Sequence, residues 1–130
     1  MENLKILVII PAYNEEESIA NVVETVKREY KNCDVLVVND GSTDNTLEEA
    51  KKTSAILIDL PNNLGIGGAV QTGYLYAYKY KYDIAIQVDG DGQHNPKHIA
   101  DMVNLITTKG YNMIIRFKIY RKNKLQTNIF

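Results

Sequence analysis

Residues 4–10, Leu-Lys-Ile-Leu-Val-Ile-Ile, form a nearly unbroken β-branched apolar run, the mark of a strand covered on both faces. Pro11-Ala12-Tyr13-Asn14 interrupts it. A helix is expected from there: Asn14 can cap, Glu17 can reach back, and Glu15 and Glu16 suit the positive helix end. Ile19, Val22, Val23, Val26 and Tyr30 supply its apolar stripe. A second strand, 34–38, runs into Asn39-Asp40-Gly41-Ser42-Thr43-Asp44, a turn followed by capping residues, and a short helix fits 44–52. The third strand, 55–60, ends at Pro61-Asn62-Asn63.

The next segment carries two competing patterns. Tyr74, Tyr76, Tyr78, Tyr80 and Tyr82 alternate at period two, as in a strand. Val70, Gly73, Tyr74, Ala77 and Lys81 make a helical face, and the segment is long for a strand, so a helix is predicted over 66–81. A fourth strand, 83–88, leads into Asp89-Gly90-Asp91-Gly92. Asn95 then caps, Pro96 takes the first helical position, Ile99, Met102, Val103 and Ile106 give a stripe, and Gly110 stops it. A fifth strand is expected at 111–115. Strands alternating with helices predict a parallel, doubly wound α/β sheet in the order βαβαβαβαβ, with helices on both faces. Ligands of such sheets bind beyond the carboxyl ends of the strands. The loops there are 11–15, 39–43, 60–68 and 89–95, and they hold most of the unusual residues in the chain.

Composition narrows the classes. A chain of 130 residues, 45% hydrophobic and 24% charged, reads as one globular domain with a real core. No apolar run approaches the roughly 20 residues that span a bilayer. Met1-Glu2-Asn3-Leu4-Lys5 lacks the basic head and apolar stretch of a signal peptide. Cys33 is the single cysteine and is expected to be a buried small hydrophobe, so the sequence points to a reducing cytoplasm. Residues 1–115 carry all 16 acids against 10 basic residues, a net of −6, whereas 116–130 hold five basic residues and no acid. That acidic body argues against nucleic acid as a partner. The basic tail reads as a solvated end that can also touch anionic lipid.

The acidic turn carries the sharpest chemistry. Asp89 and Asp91 end a buried strand one residue apart, and two converging carboxylates repel unless a cation lies between them. Hard oxygen ligands beside glycines suit Mg²⁺ or Mn²⁺ holding a diphosphate. An ordinary metal-free Asp-Gly turn is the alternative. A calcium loop is excluded, because counting from Asp89 puts His94 where glycine is needed and Ala100 where the bidentate glutamate is needed. Gly65, Gly67 and Gly68 before a helix offer backbone N–H groups to an anion, or tight helix-on-sheet packing. They fail as a dinucleotide fingerprint, since the third glycine position falls on Val70. Asp40 can accept from a base or a ribose hydroxyl, or merely begin a turn. Tyr13 can lie against a base or pack. His94 and His98 read as surface residues, and no Ser/His/Asp or Cys/His arrangement stands out.

Four segments together resemble family two glycosyltransferases: Pro11-Ala12-Tyr13-Asn14-Glu15, Asn39-Asp40-Gly41-Ser42-Thr43-Asp44, Asn63-Leu64-Gly65 onward to Gly73, and Asp89-Gly90-Asp91-Gly92-Gln93-His94-Asn95-Pro96. The likeness covers residues 4 to about 115 and is greatest to enzymes resembling dolichol-phosphate mannose and undecaprenyl-phosphate glucose synthases. It implies a GT-A nucleotide-diphosphosugar fold and inverting transfer from a UDP- or GDP-sugar. On that resemblance Pro11, Tyr13 and Glu15 line the nucleotide pocket, Val38 and Asp40 hold the base, and Asp89 and Gly90 lie by the ribose and diphosphate. Asp91 with Gln93 binds the metal, Mg²⁺ or Mn²⁺.

The sequence also departs from that pattern. Relatives follow the fifth strand with a Gly-Ser-Arg segment, whereas Ile114-Ile115 run straight into Arg116-Phe117. Residues 1–115 are thus expected to form the donor domain and 116–130 an atypical tail, with the acceptor-binding half and any catalytic base lying in a part that the chain lacks. The implied acceptor is a polyprenyl phosphate or a glycan, at the inner face of a membrane in the first case, and self-association into a homodimer is open. The alternative function is a non-catalytic nucleotide-sugar binding module. A sugar-phosphate nucleotidyltransferase is disfavoured, since the first loop lacks a Gly-rich basic segment. A phosphoryl transferase is disfavoured too, since the acidic pair is not on the first strand.

Overall fold

The computed structural model describes residues 4–92, 101, 103–104 and 119–121. Eight elements follow in order: β1 (Ile6–Ala12), α1 (Ile19–Glu29), β2 (Asp34–Asn39), α2 (Thr46–Lys51), β3 (Ile56–Asp59), α3 (Gly65–Lys79), β4 (Ile84–Gln87) and β5 (Ile119–Arg121). The sheet order is β3-β2-β1-β4-β5, parallel throughout except for antiparallel β5. No helix among the described residues is long and apolar enough to cross a membrane.

The continuous apolar run at the start becomes the central strand. All seven residues of β1 are buried, because each face has its own cover. Ile6, Val8 and Ile10 join Val35 and Val37 against Ile19, Val22, Val23 and Val26 of α1 and Ala50 of α2. Leu7 and Ile9 join Leu36 and Val38 against Ala69 and Ala77 of α3. The α3 backbone lies very close to β1: a methyl on Gly73 would sit 2.4 Å from Ile9 Cγ2. The tight helix-on-sheet contact falls on this glycine rather than on Gly67, whose added methyl would meet nothing within 4 Å, or on Gly68, which faces Leu64.

Three boundaries differ from expectation. Strand β1 continues through Pro11 and Ala12, paired with Val38 and Asn39. Ile9 O accepts from Val88 and Ala12 O from Asp40, so by the alternation of a parallel ladder Pro11 faces the β4 side. The β4 ladder has already ended at Ile9–Gln87, and the N–H that proline lacks is not needed there. Helix α1 begins at Ile19 rather than Asn14, and Asn14 has φ 54 and no capping role. Its side chain instead accepts from Thr43 N at 2.9 Å, tying two loops together. Lastly, β5 lies within the stretch read as a tail.

The contested tyrosine segment is helical. It ends in a Schellman motif: Tyr82 N donates to Ala77 O at 2.9 Å and Lys81 N to Tyr78 O at 3.2 Å, with Lys81 at φ 62. Tyr82, the last of the alternating tyrosines, is then buried, and its hydroxyl donates to Asp34 Oδ2 at 2.6 Å. Asp101, Val103 and Asn104 are helical and Val103 is buried against the α1 layer, as the predicted stripe requires. The start of that helix, the strand expected at 111–115, Arg116, His94 and His98 lie outside the described residues.

Candidate functional site

The strand order places a switch point between β1 and β4. The chain steps outward from β1 to β2 to β3, with α1 and α2 on one face. It then crosses back over the other face through α3 to start β4 on the opposite side of β1. The two crossovers diverge there, opening a crevice at the carboxyl ends of the strands. A cavity of about 410 Å³ occupies it.

Four loops meet in this cavity. Pro11, Tyr13 and Glu15 come from the end of β1, Asp40 from β2, Asn63, Gly65 and Ile66 from the entry to α3, and Asp89, Gly90 and Asp91 from β4. Of the residues expected to bind a nucleotide-sugar, all line it except Val38. That side chain is fully buried in the α3 layer, beneath the cavity floor. Gln93 lies outside the described residues.

Local hydrogen bonds hold each loop in place. Glu15 N donates to Thr46 Oγ1 at 2.8 Å, and the buried Thr46 hydroxyl in turn bonds Asp44. Glu16 N donates to Asp44 Oδ2, and Asn45 N to Glu16 Oε1. Residues 14–16 are therefore occupied in bracing the β2 loop, which is why the helix starts late. Ser18 Oγ lies 2.6 Å from Gly90 O and 3.3 Å from Glu15 Oε2, pinning the acidic turn to the start of α1. A methyl on Gly90 would come within 3.2 Å of Pro11 O, so this turn lies flat on the end of β1.

Asp40 has a structural task as well. It is 3% exposed, and its carboxylate accepts from Leu64 N at 2.7 Å and Asn63 Nδ2 at 3.3 Å. It thereby fixes the turn at Gly65, whose φ of 86 requires glycine, while still facing the cavity. Asn63 also lines the cavity; it opens the third of the resembling segments, but the sequence alone assigns it no role. Tyr13, 47% exposed, is among the residues that line the cavity.

The electrostatics are strongly acidic. Burial raises the Glu15 carboxyl above its ordinary range; the Ser18 hydroxyl opposes this, and the charges of Asp91, Asp44 and Asp89 add to the rise. Asp89 and Asp91 both line the cavity, each near enough to Glu15 for its charge to be felt there. Among the described residues no three His, Cys, Asp or Glu side chains form a metal cluster. Two carboxylates are nevertheless the donor set that fits Mg²⁺ or Mn²⁺, which takes one or two carboxylates and fills its other positions with water and phosphate oxygens. Cys33 stays apart: it is buried, and burial pushes its thiol up to about 11, as expected of a packing residue.

The sequence model of the family described as glycosyl transferase family 2 matches residues 7–128. The chain belongs to that family. An uncharacterised protein of Methanocaldococcus jannaschii is 42% identical over 94% of this chain and 50% of its own length. UDP-N-acetylglucosamine–dolichyl-phosphate N-acetylglucosaminyltransferase of Methanococcus voltae is 37% identical over 92% of this chain and 54% of its own. The chain thus spans about half the length of these two relatives. Among solved structures, the mannosyltransferase PcManGT of Pyrobaculum calidifontis, in complex with GDP-Man and Mn²⁺, superposes with a TM-score of 0.70. At 20% identity it covers 82% of this chain and 33% of its own, and the two share the GT-A fold.

Proposed function

We propose that this chain is the donor-binding part of a glycosyltransferase, taking a UDP- or GDP-sugar with a divalent cation and passing the sugar, with inversion, to a polyprenyl phosphate. The observation that carries the reading is the convergence of four loops on one cavity at the switch point between β1 and β4. Tyr13 offers its ring to the base, and Asp40 its remaining lone pairs to base or ribose. The Gly65 turn and the start of α3 turn backbone N–H groups and a positive helix end toward the diphosphate. Gly90 lets the diphosphate approach the backbone of the acidic turn closely. Asp91 and Asp89 would hold the cation, with Gln93 as a further ligand. Bound there, the ion supplies charge neutralisation to a departing nucleoside diphosphate.

The polyprenyl-phosphate acceptor is taken from the activity for which the Methanococcus voltae relative is named, and such an acceptor would put the reaction at a membrane surface. A second reading is nucleotide-sugar binding without transfer: among the described residues the cavity lining, drawn from 11–91, offers groups for a donor and none that is assigned to an acceptor. Release of nucleoside diphosphate from a nucleotide-sugar separates the two. Calorimetric titration of UDP and GDP, with and without Mn²⁺, tests what they share. Metal-dependent binding by the wild type that disappears in Asp91→Ala is the expected result. Absence of binding by the folded wild type refutes both.

A further inference from the structure

A second cavity, of about 290 Å³, lies beside the first between α3 and the end of β4. Ile66 lines both. Val70 and Tyr74 of α3 give it apolar and aromatic walls, and Gly67 leaves its rim open. Its polar feature is Gln87, which pairs with Ile9 and therefore faces α3. Gln87 Nε2 donates to Asp89 Oδ1 at 3.3 Å, linking the cavity to the acidic turn. Gln87 Oε1 is buried and has no hydrogen-bond partner among the described residues. A buried carbonyl oxygen without a donor is disfavoured in a folded chain unless a water or a ligand completes it.

We infer that this second cavity is the subsite for the transferred sugar, with Gln87 Oε1 accepting from a sugar hydroxyl. The inference rests on the donor reading above and adds to it where the hexose lies and which residue reads it. A hexose has the chemistry the cavity offers: an apolar ring face for Val70 and Tyr74, and hydroxyl donors for an orphaned amide oxygen. Sharing Ile66, and bonded through Gln87 to Asp89, the cavity is next to the place assigned to the diphosphate.

The test compares nucleotide-sugars with their bare diphosphates by calorimetry: UDP-glucose and UDP-N-acetylglucosamine against UDP, and GDP-mannose against GDP. The wild type is expected to bind at least one nucleotide-sugar more tightly than its diphosphate. Gln87→Met, which keeps the volume and removes the acceptor, should shrink that ratio about fivefold to tenfold, the worth of one neutral hydrogen bond. Gly67→Leu is a second, independent probe: it fills the open rim at a helical position and should also abolish the preference. A ratio unchanged in both variants overturns the subsite while leaving the donor site standing, as does a wild type with no preference for any of the three sugars. Failure of UDP and GDP themselves to bind the wild type overturns the donor site and the subsite together.

Discussion

The closest approach in the fold gives the most decisive structural prediction. In Gly73→Ala the new methyl would lie 2.4 Å from Ile9 Cγ2 and 3.1 Å from both Cγ1 and Cδ1. Ordinary carbon–carbon contact is about 3.5–4.0 Å, so the shortfall at Cγ2 is about 1 Å. Ile9 is fully buried on the central strand, flanked by β2 and β4, and has no free space to move into. Overpacking of this kind costs about 1–3 kcal/mol, while alanine in place of a helical glycine returns about 1 kcal/mol. The net expectation is a loss of up to about 2 kcal/mol, read as a lower urea midpoint by circular dichroism. Relief of the clash gives a sharper criterion. Ile9→Ala alone should cost about 2–5 kcal/mol, and adding Gly73→Ala to it should cost nothing further or recover stability, a favourable coupling of at least about 1 kcal/mol. Stabilisation by Gly73→Ala alone, or simple additivity in the cycle, would refute the reasoning. Because Gly65, Ile66 and Ala69 at the other end of α3 line the switch-point cavity, the proposed function predicts that Gly73→Ala also weakens nucleotide binding.

Three further outcomes follow from local geometry. Lys81 occupies a left-handed position that glycine adopts freely, so Lys81→Gly should raise stability by about 0.5–1 kcal/mol in the same denaturation assay. Burial and neighbouring carboxylates raise the Glu15 carboxyl above 4.5, so the folded state holds its proton more tightly than the unfolded chain and stability falls as pH rises through that range. Glu15→Gln should therefore melt higher than wild type at pH 7, and its advantage should vanish below about pH 4, where Glu15 is protonated in both states. Cys33, buried with its thiol pushed up to about 11, should resist an aromatic disulfide reagent at pH 8 and react fully in urea.

Much of this was legible along the chain, because the strongest signals were local. The apolar run of residues 4–10 and the stripe from Ile19 to Val26 announce elements whose burial needs no knowledge of their partners. The period-two tyrosines misled only in part: helical length outweighed them, and Tyr82 departs from the helix only after the Schellman turn at Lys81. What stayed hidden depends on contacts between distant residues. Residues 14–18 look like a helix start, yet the backbone N–H groups of 14, 15 and 16 are taken by Ser42, Thr46 and Asp44, some 28–31 positions away. Pro11 looks like a breaker, yet it sits two residues past Ile9, where the β4 ladder ends. Strand β5 covers only three residues, too few to show a period. In the site, Asp40, read as a ligand or a turn former, holds the turn at Gly65 and lines the cavity, while Val38 is buried in the α3 layer and does not line it.

The central claim, that the switch-point cavity binds the donor, is tested most directly by mapping amide shifts in ¹H–¹⁵N spectra as UDP or GDP is added with Mg²⁺. The account predicts changes concentrated at Tyr13, Glu15, Asp40, Gly65 and Gly90, with little movement at the opposite end of the sheet around Lys5, Asp34 and Tyr82. Shifts centred on that opposite end, or no shifts with either nucleotide, would contradict it.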